Sequence, residues 1–390
     1  MRTGLERLLD DPRRVLGNAR VGLVANPTTV DRRLNHAIDL LHAHPDVDLR
    51  LLFGPEHGIR GAAQYMVGVT SDREAVTGLP EISLYGSTFE SLSPKHEHLS
   101  QIDVLVFDIQ DVGARYYTYA ATMALCMRAA TTAGVKVVVL DRPNPIGGLQ
   151  IEGGGLEPGL ENFCGLFPVP QRHAMSVGEL ARLYNRTFGI GCDLEVVACE
   201  GWRRGQYFDE TGLPWVMPSP NMPTLDTAIV YPGMCLLEAT NISEGRGTTR
   251  PFELLGAPFV DGRALAAELG CYGLAGVTFR PCVFDPTFDK HAQRTCGAVQ
   301  IHVTDRRSFD SYRTGLAVLV AIKRLWPSDF AWREAAYEFR EDVPAIDLLT
   351  GKPAVRAAID AGHDLETVAT AASGGVERYD AGRAAALLYD

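Results

Sequence analysis

The chain has 390 residues, 46% of them hydrophobic, 22% charged and 8% aromatic, a composition that excludes disorder, collagen-like repeats and a disulfide-stapled miniprotein. Its 37 lysines and arginines against 48 aspartates and glutamates leave a net charge of -11. That balance argues against non-specific binding to nucleic acid or anionic membranes, because an acidic surface repels polyphosphate.

The opening segment, MRTGLERLLDDPRRV, has no apolar stretch of signal-peptide length, and no later segment approaches 18 uninterrupted apolar residues, so a soluble, cytoplasmic protein is expected. The first predicted strand, Arg20 to Ala25, ends in Asn26-Pro27-Thr28 and precedes a predicted helix from Asn35 to Ala43. The second, Leu49 to Phe53, ends in Gly54-Pro55-Glu56-His57-Gly58, and a weaker one follows at Ile82 to Leu84. Ile102 to Phe107 runs into Asp108-Ile109-Gln110-Asp111, and Val135 to Leu140 into Asp141-Arg142-Pro143-Asn144-Pro145. Between these two, Thr118 to Ala133 suits a helix with Gly134 as its C-cap. Near-continuous apolar strands alternating with helices require a parallel sheet covered on both faces, so the first domain is predicted as a Rossmann-like, doubly wound α/β fold.

A helix at Ser176 to Thr187 and a strand at Leu194 to Ala198 complete this domain, assigned to residues 1–200. Beyond Trp202 the pattern changes to long loops rich in Pro, Gly, Ser, Thr and Asn. Two antiparallel strands are predicted at Gly276 to Phe279 and Val299 to Thr304, then mostly helical sequence at Phe309 to Leu325 and Ser328 to Asp390. Residues 201–390 are therefore read as a smaller α+β domain closing over the first. None of the eight cysteines falls in a CxxC pair, so neither a zinc ribbon nor a thioredoxin motif is present, and free, mostly buried thiols are expected.

No GxGxxG follows the first strand, and there is no GxxxxGK[ST], HExxH or GxSxG. What remains is the rim: ligands of open parallel sheets sit beyond the carboxyl ends of the strands, where four polar strand ends converge. Glu56, flanked by His57 and followed by Arg60, is placed to protonate a leaving group, or else to cap a helix or pair with Arg60. The stretch from Asp108 to Tyr119 gathers Gln110, Asp111, Arg115, Tyr116 and Tyr117. Arg115 could grip a carboxylate bidentately and a tyrosine could stack on a sugar, while Tyr116 and Tyr119 also fit the apolar first turn of the next helix. Arg142 and Asn144 stand at the fourth strand end, and His173 reads by default as a satisfied loop histidine, with contact to a ligand as the alternative. Downstream, Pro218 to Thr224 carries Asn221, and the glycine-rich Thr240 to Thr249 carries Asn241, Glu244 and Arg246 as a polar lid opposite Glu56. Asp285, Asp289, Lys290 and Asp305 read as surface ion pairs. Two carboxyl groups flanking a scissile bond are the minimum equipment of most glycosidases.

The runs FGPEHGIRG, DVLVFDIQDVGARYYTY, VVVLDRPNPIGG, GLPWVMPSPNMPT and EATNISEGRGTTRPFELLGAP resemble the exo-β-N-acetylmuramidase family, glycoside hydrolase family 171, and the resemblance extends from Gly4 to Leu387-Leu388-Tyr389. It implies removal of non-reducing-end N-acetylmuramic acid from peptidoglycan fragments, in a cleft between a Rossmann-like N-terminal domain and a smaller C-terminal one, with no cofactor or metal. On this reading Glu56 is the acid, Asp111 or Glu244 activates water or stabilises the oxocarbenium-like state, and Tyr117 stands beside them. Arg60, Arg115, Arg142 and Arg246 would answer the lactyl carboxylate, and His57, Gln110, Asn144, His173, Asn221 and Asn241 the rest of the sugar. The chain departs from the family pattern at Met66-Val67-Gly68, where many members carry an acidic Gly-Glu pair, at Arg172-His173-Ala174-Met175 in place of RHGM, and at Arg115-Tyr116-Tyr117-Thr118-Tyr119 in place of RFYTY. Two other classes compete: a non-catalytic muropeptide-binding protein, and a metal-dependent hydrolase built on Asp108, Asp111, Asp141 and His57. A cytoplasmic enzyme of this kind would recycle imported muropeptides or disaccharides.

Overall fold

The computed structural model describes residues 1–59 and 72–390, so Arg60 and the loop from Ala62 to Thr70 lie outside the described residues. The first sheet is built from β1 (Arg20–Ala25), β2 (Asp48–Gly54), β3 (Asp72–Arg73), β4 (Pro80–Ser83), β5 (Val104–Asp108), β6 (Lys136–Leu140) and β7 (Leu194–Val197). Their order is β3-β4-β2-β1-β5-β6-β7, parallel throughout except for the antiparallel β3. β5 is buried at every residue and β1 at all but its first, which is why both read as uninterrupted apolar runs. The chain winds from β1 to β2 and β4 on one side and from β5 to β6 and β7 on the other, the doubly wound α/β arrangement expected.

The helix Tyr119–Ala133 connects β5 to β6 and stops at Gly134, whose φ of 68° lets its N–H turn back to the carbonyls of Ala130 and Thr131. Helix Val177–Arg186 begins in a reciprocal capping box between Ser176 and Glu179.

The second sheet is antiparallel, with β8 (Leu254–Ala257), β9 (Val277–Phe284) and β10 (Cys296–Val303) in the order β8-β10-β9. Helix Gly262–Gly270 packs against β9 and β10, and helices Leu225–Met234 and Ser311–Leu325 cross each other at Gly233 and Gly315. Buried side chains run without a break from Phe107 and Met123 of the first unit through Tyr231 and Leu236 to Leu316 of the second.

Two expectations need correction. The loop reading beyond Trp202 misses helices Leu225–Met234 and Gly262–Gly270 and strand β8, because Pro232 inside the first helix and the short, Gly-containing β8 carry weak local signals. The helical reading from Ser328 holds only from Ala345, in four short helices ending at Ala386. Residues 326–344 instead form an irregular strap, tied down where Arg333 N–H meets Ala239 O at 2.7 Å and Asn241 N–H meets Ala331 O at 3.0 Å. All eight cysteines are free and six are buried. Among the described residues no helix is long and apolar enough to cross a membrane.

Candidate active site

A cavity lies beyond the carboxyl end of β2, walled by the turn that follows it, by the start of helix Tyr119–Ala133, and by segments of the second unit. β2 delivers Glu56 through a tight turn in which His57 and Gly58 both adopt left-handed backbone, with φ of 70° and 74°. For His57 that conformation costs on the order of 1 kcal/mol, the kind of local strain that accumulates where a side chain must be aimed. The Glu56 carboxyl is buried; Oε2 accepts from Thr118 Oγ1 at 3.0 Å, and the buried Tyr85 hydroxyl stands beside the carboxyl as a second donor.

Tyrosines form the adjoining wall. Tyr117 stacks edge-on against Tyr119 and Tyr231, with centroids 5.1 and 5.7 Å apart, and Tyr231 against Phe252 at 4.9 Å. Tyr116 donates to Pro232 O and Tyr119 to Pro218 O at 2.7 Å, so both hydroxyls pin the wall to backbone. The Tyr117 hydroxyl is buried beside Ser219, and burial raises its pKa well above the ordinary value, keeping it a neutral donor. Tyr85 sits behind Glu56: burial first, then the carboxylates of Glu56 and Glu338, push its pKa far upward.

The second unit contributes Glu238, Arg246, Tyr337 and Glu338. Glu238 accepts from Arg246 Nη2 and from the Tyr337 hydroxyl, each at 2.7 Å. Arg246 Nε reaches Glu244 Oε1 at 3.1 Å, and Glu244 Oε2 accepts from Lys290 Nζ at 2.9 Å. Burial opposes ionisation of Glu244, but Lys290 and Arg246 outweigh it and hold the carboxyl below its ordinary range. Glu338 and Phe252 are left-handed non-glycine residues, with φ of 47° and 63°.

Of the residues singled out in the sequence, Glu56, His57, Tyr116, Tyr117, Tyr119, Asn221 and Arg246 line this cavity together, and Arg60 lies outside the described residues. The other described ones lie outside its lining, bonded within the fold. Asp111 accepts from Gly113 N–H at 2.6 Å and stands 3.2 Å from His173 Nε2, both buried. Gln110 donates to the carbonyls of Asp111 and Pro143, and Asn144 donates to Met175 O while accepting from Ile146 N–H. Arg115 points away into the protein, donating to the carbonyls of Gly154, Val169 and Leu349. Arg142 forks onto Asp108 at 2.5 and 2.9 Å, and Asn241 exchanges hydrogen bonds with the backbone of Asp329 and Ala331. Glu244 stands behind Arg246, with both oxygens occupied. Asp141 accepts from Ser176 and Gly178 at 2.7 Å each, so the strand-end aspartates do not converge; among the described residues no group of three His, Cys, Asp or Glu is placed to hold a metal ion.

Sequence reading passes over Glu238, Tyr337 and Glu338. Glu238 lies in the otherwise apolar run Cys235 to Ala239, and the other two in the stretch read as helix. Their placement depends on the strap crossing residues 239–241, which has no local signal.

Comparison with known proteins gives two family models that together cover most of the chain. Residues 21–226 match the N-terminal model of exo-β-N-acetylmuramidase NamZ and residues 229–389 its C-terminal model. The chain is 45% identical over 389 residues to the peptidoglycan β-N-acetylmuramidase NamZ of Bacillus subtilis (strain 168), an alignment covering 100% of this chain and 91% of that protein. Two crystal structures of DUF1343 family proteins from Bacteroides fragilis NCTC 9343 are similar along the whole chain. One has a TM-score of 0.89 at 34% identity and the other 0.75 at 27%, each covering 100% of this chain and 99% of the other.

Proposed function

The chain belongs to the exo-β-N-acetylmuramidase NamZ family, and from that membership we propose that it is an exo-acting glycosidase releasing N-acetylmuramic acid from the non-reducing end of peptidoglycan fragments. The observation that carries the reading to this chain's own residues is Glu56: a buried carboxyl fixed by hydroxyl donors, Thr118 among them, in the wall of a cavity. That is the setting in which a carboxylic acid protonates a glycosidic oxygen.

For the second carboxylate we assign Glu338 in preference to Asp111 and Glu244. It lines the same cavity as Glu56, whereas Asp111 and Glu244 lie outside the lining. Its role is to activate water or to stabilise the oxocarbenium-like state. A separation of about 5 to 5.5 Å between the two carboxyl groups in the substrate complex gives retention, and about 6.5 to 9.5 Å inversion. Tyr117 and Asn221 supply hydrogen bonds to the sugar, and Arg246 the positive charge for the lactyl carboxylate. A cavity walled by both units suits a chain end better than an internal sugar of a long polymer, and soluble fragments awaiting recycling are substrates of that kind.

The test is incubation with a muramic-acid-terminated disaccharide and identification of the released sugar. Free N-acetylmuramic acid is the expected product, with Glu56→Gln lowering turnover by about 10²- to 10⁴-fold. An intact disaccharide that still binds would instead mark a non-catalytic muropeptide-binding protein.

A further inference from the structure

We propose that Lys290, at the tip of the β9–β10 hairpin, is a positioning residue for the cavity: acting through Glu244, it sets where Arg246 stands and how its charge is shared. The inference rests on the cavity being the glycan site.

The hairpin tip turns away from its own sheet and lands on residues 237–247. Lys290 Nζ donates to Leu237 O at 2.8 Å, to Ile242 O at 3.1 Å and to Glu244 Oε2 at 2.9 Å, which uses all three ammonium hydrogens. His291 Nε2 meets Asn241 O at 2.7 Å, and the Thr287 N–H and hydroxyl both donate to Gly247 O at 2.9 Å. At Gly247, with φ of 79°, an added side chain would run into the backbone of Thr287 and Phe288, so the two loops lie backbone against backbone. Asp289, His291 and Gln293 are all left-handed, with φ of 67°, 57° and 60°. Three such residues around one lysine persist only where the surroundings over-determine them, and here the surroundings are the loop that carries Arg246.

The functional consequence comes from the charge pattern. Arg246 is shared between Glu244 behind it and Glu238 in the cavity wall, and Glu238 in turn holds Tyr337. The chain Lys290–Glu244–Arg246–Glu238–Tyr337 thus sets two buried carboxylates against two cations, with Asp289 a further 4.0 Å from Arg246 Nε. With the lysine charge removed, Glu244 has Arg246 as its cation and draws it back from Glu238 and from the cavity. The lysine that reads as a surface ion pair in the sequence is therefore what keeps Arg246 on Glu238, in the cavity wall. Because Arg246 serves binding, the loss falls on affinity more than on turnover.

The test measures kcat and KM on the muramic-acid-terminated disaccharide, and the Kd for N-acetylmuramic acid by calorimetry, for the full chain and its variants. Lys290→Met is expected to raise KM and Kd about tenfold or more while kcat changes less than about threefold, and Lys290→Arg to restore both to within about threefold. In a Glu244→Gln background, Lys290→Met is expected to add less than about threefold, since its route to Arg246 is already cut. That comparison also decides the matter if Lys290→Met alone fails to fold. Unchanged KM and Kd in folded Lys290→Met, or a full tenfold rise on top of Glu244→Gln, overturns the proposal. A wild-type chain that binds N-acetylmuramic acid but releases none sinks the hydrolytic reading and leaves the Kd comparison to judge Lys290.

Discussion

Arg115 and Arg246 look alike in the sequence, each a guanidinium in a polar loop of an acidic chain, and the fold gives them opposite tasks. Arg115 is buried with its guanidinium on the carbonyls of Gly154, Val169 and Leu349, and no carboxylate pairs with it among the described residues. Burial depresses its pKa, and the carbonyl dipoles carry the charge. Removing it leaves those acceptors unsatisfied, so Arg115→Met is expected to cost about 3 kcal/mol in urea unfolding while leaving KM near the wild-type value in the fraction that folds. Arg246→Lys keeps the charge but loses the planar fork that joins Glu238 to Glu244. It is expected to weaken binding of muramic-acid glycosides about tenfold more than of N-acetylglucosamine glycosides, which lack the lactyl group; equal losses for both sugars would detach Arg246 from that carboxylate. The density of polar residues after β5 was legible as a special loop. The direction each side chain takes was not, because it is set by carbonyls as far away as Leu349.

Legibility at the level of elements follows burial. Strands β1, β5 and β6 are apolar along their length because helices cover both faces, and their strand-end motifs announce themselves by contrast. The second unit is held by contacts that leave no period in the sequence. Helices Leu225–Met234 and Ser311–Leu325 approach so closely that a side chain on Gly315 would collide with the backbone of Gly233, and one on Gly233 with that of Ser311. In an isolated helix a Gly→Ala change gains roughly 1 kcal/mol. Here the sign reverses: Gly315→Ala must push the helices apart, and overpacking of that kind costs about 1 to 3 kcal/mol. Because Tyr116 is anchored to Pro232 in the same helix, the separation also reaches the tyrosine wall, and turnover is expected to fall with stability. A stabilised Gly315→Ala variant in urea titration would show that the crossing is looser than its geometry implies.

Across the whole molecule, the chain closes on itself at the far end of β6. Gly4 N–H donates to Asp141 O at 2.9 Å, helix Glu377–Ala386 packs on Val177–Arg186, and the Tyr389 hydroxyl donates to the Asp141 carboxylate. The two-unit division is readable as a change of pattern; this return of the tail to the first unit is not, because it joins residues 248 positions apart. Burial pushes the Asp141 pKa up to about 6, while the donors Tyr389, Ser176 and Gly178 pull against that rise. A carboxyl with a folded pKa above its unfolded value of 3.8 binds more protons in the native state between those two points. The stability that Asp141 contributes therefore declines as pH climbs from about 4 to about 6 and does not recover above that window. Tyr389→Phe removes a donor to the charged form, raises the folded pKa further and extends the decline to higher pH. At pH 5, where folded Asp141 is largely protonated, the variant is expected to lose about 1 kcal/mol, an ordinary neutral hydrogen bond. At pH 8 the lost bond is to a buried carboxylate and the expected loss is about 2 to 3 kcal/mol, read from urea unfolding at the two pH values. Equal losses at both would mean that the hydroxyl acts through a bond that does not depend on the carboxyl's charge, such as the one it accepts from Cys199 N–H at 2.8 Å.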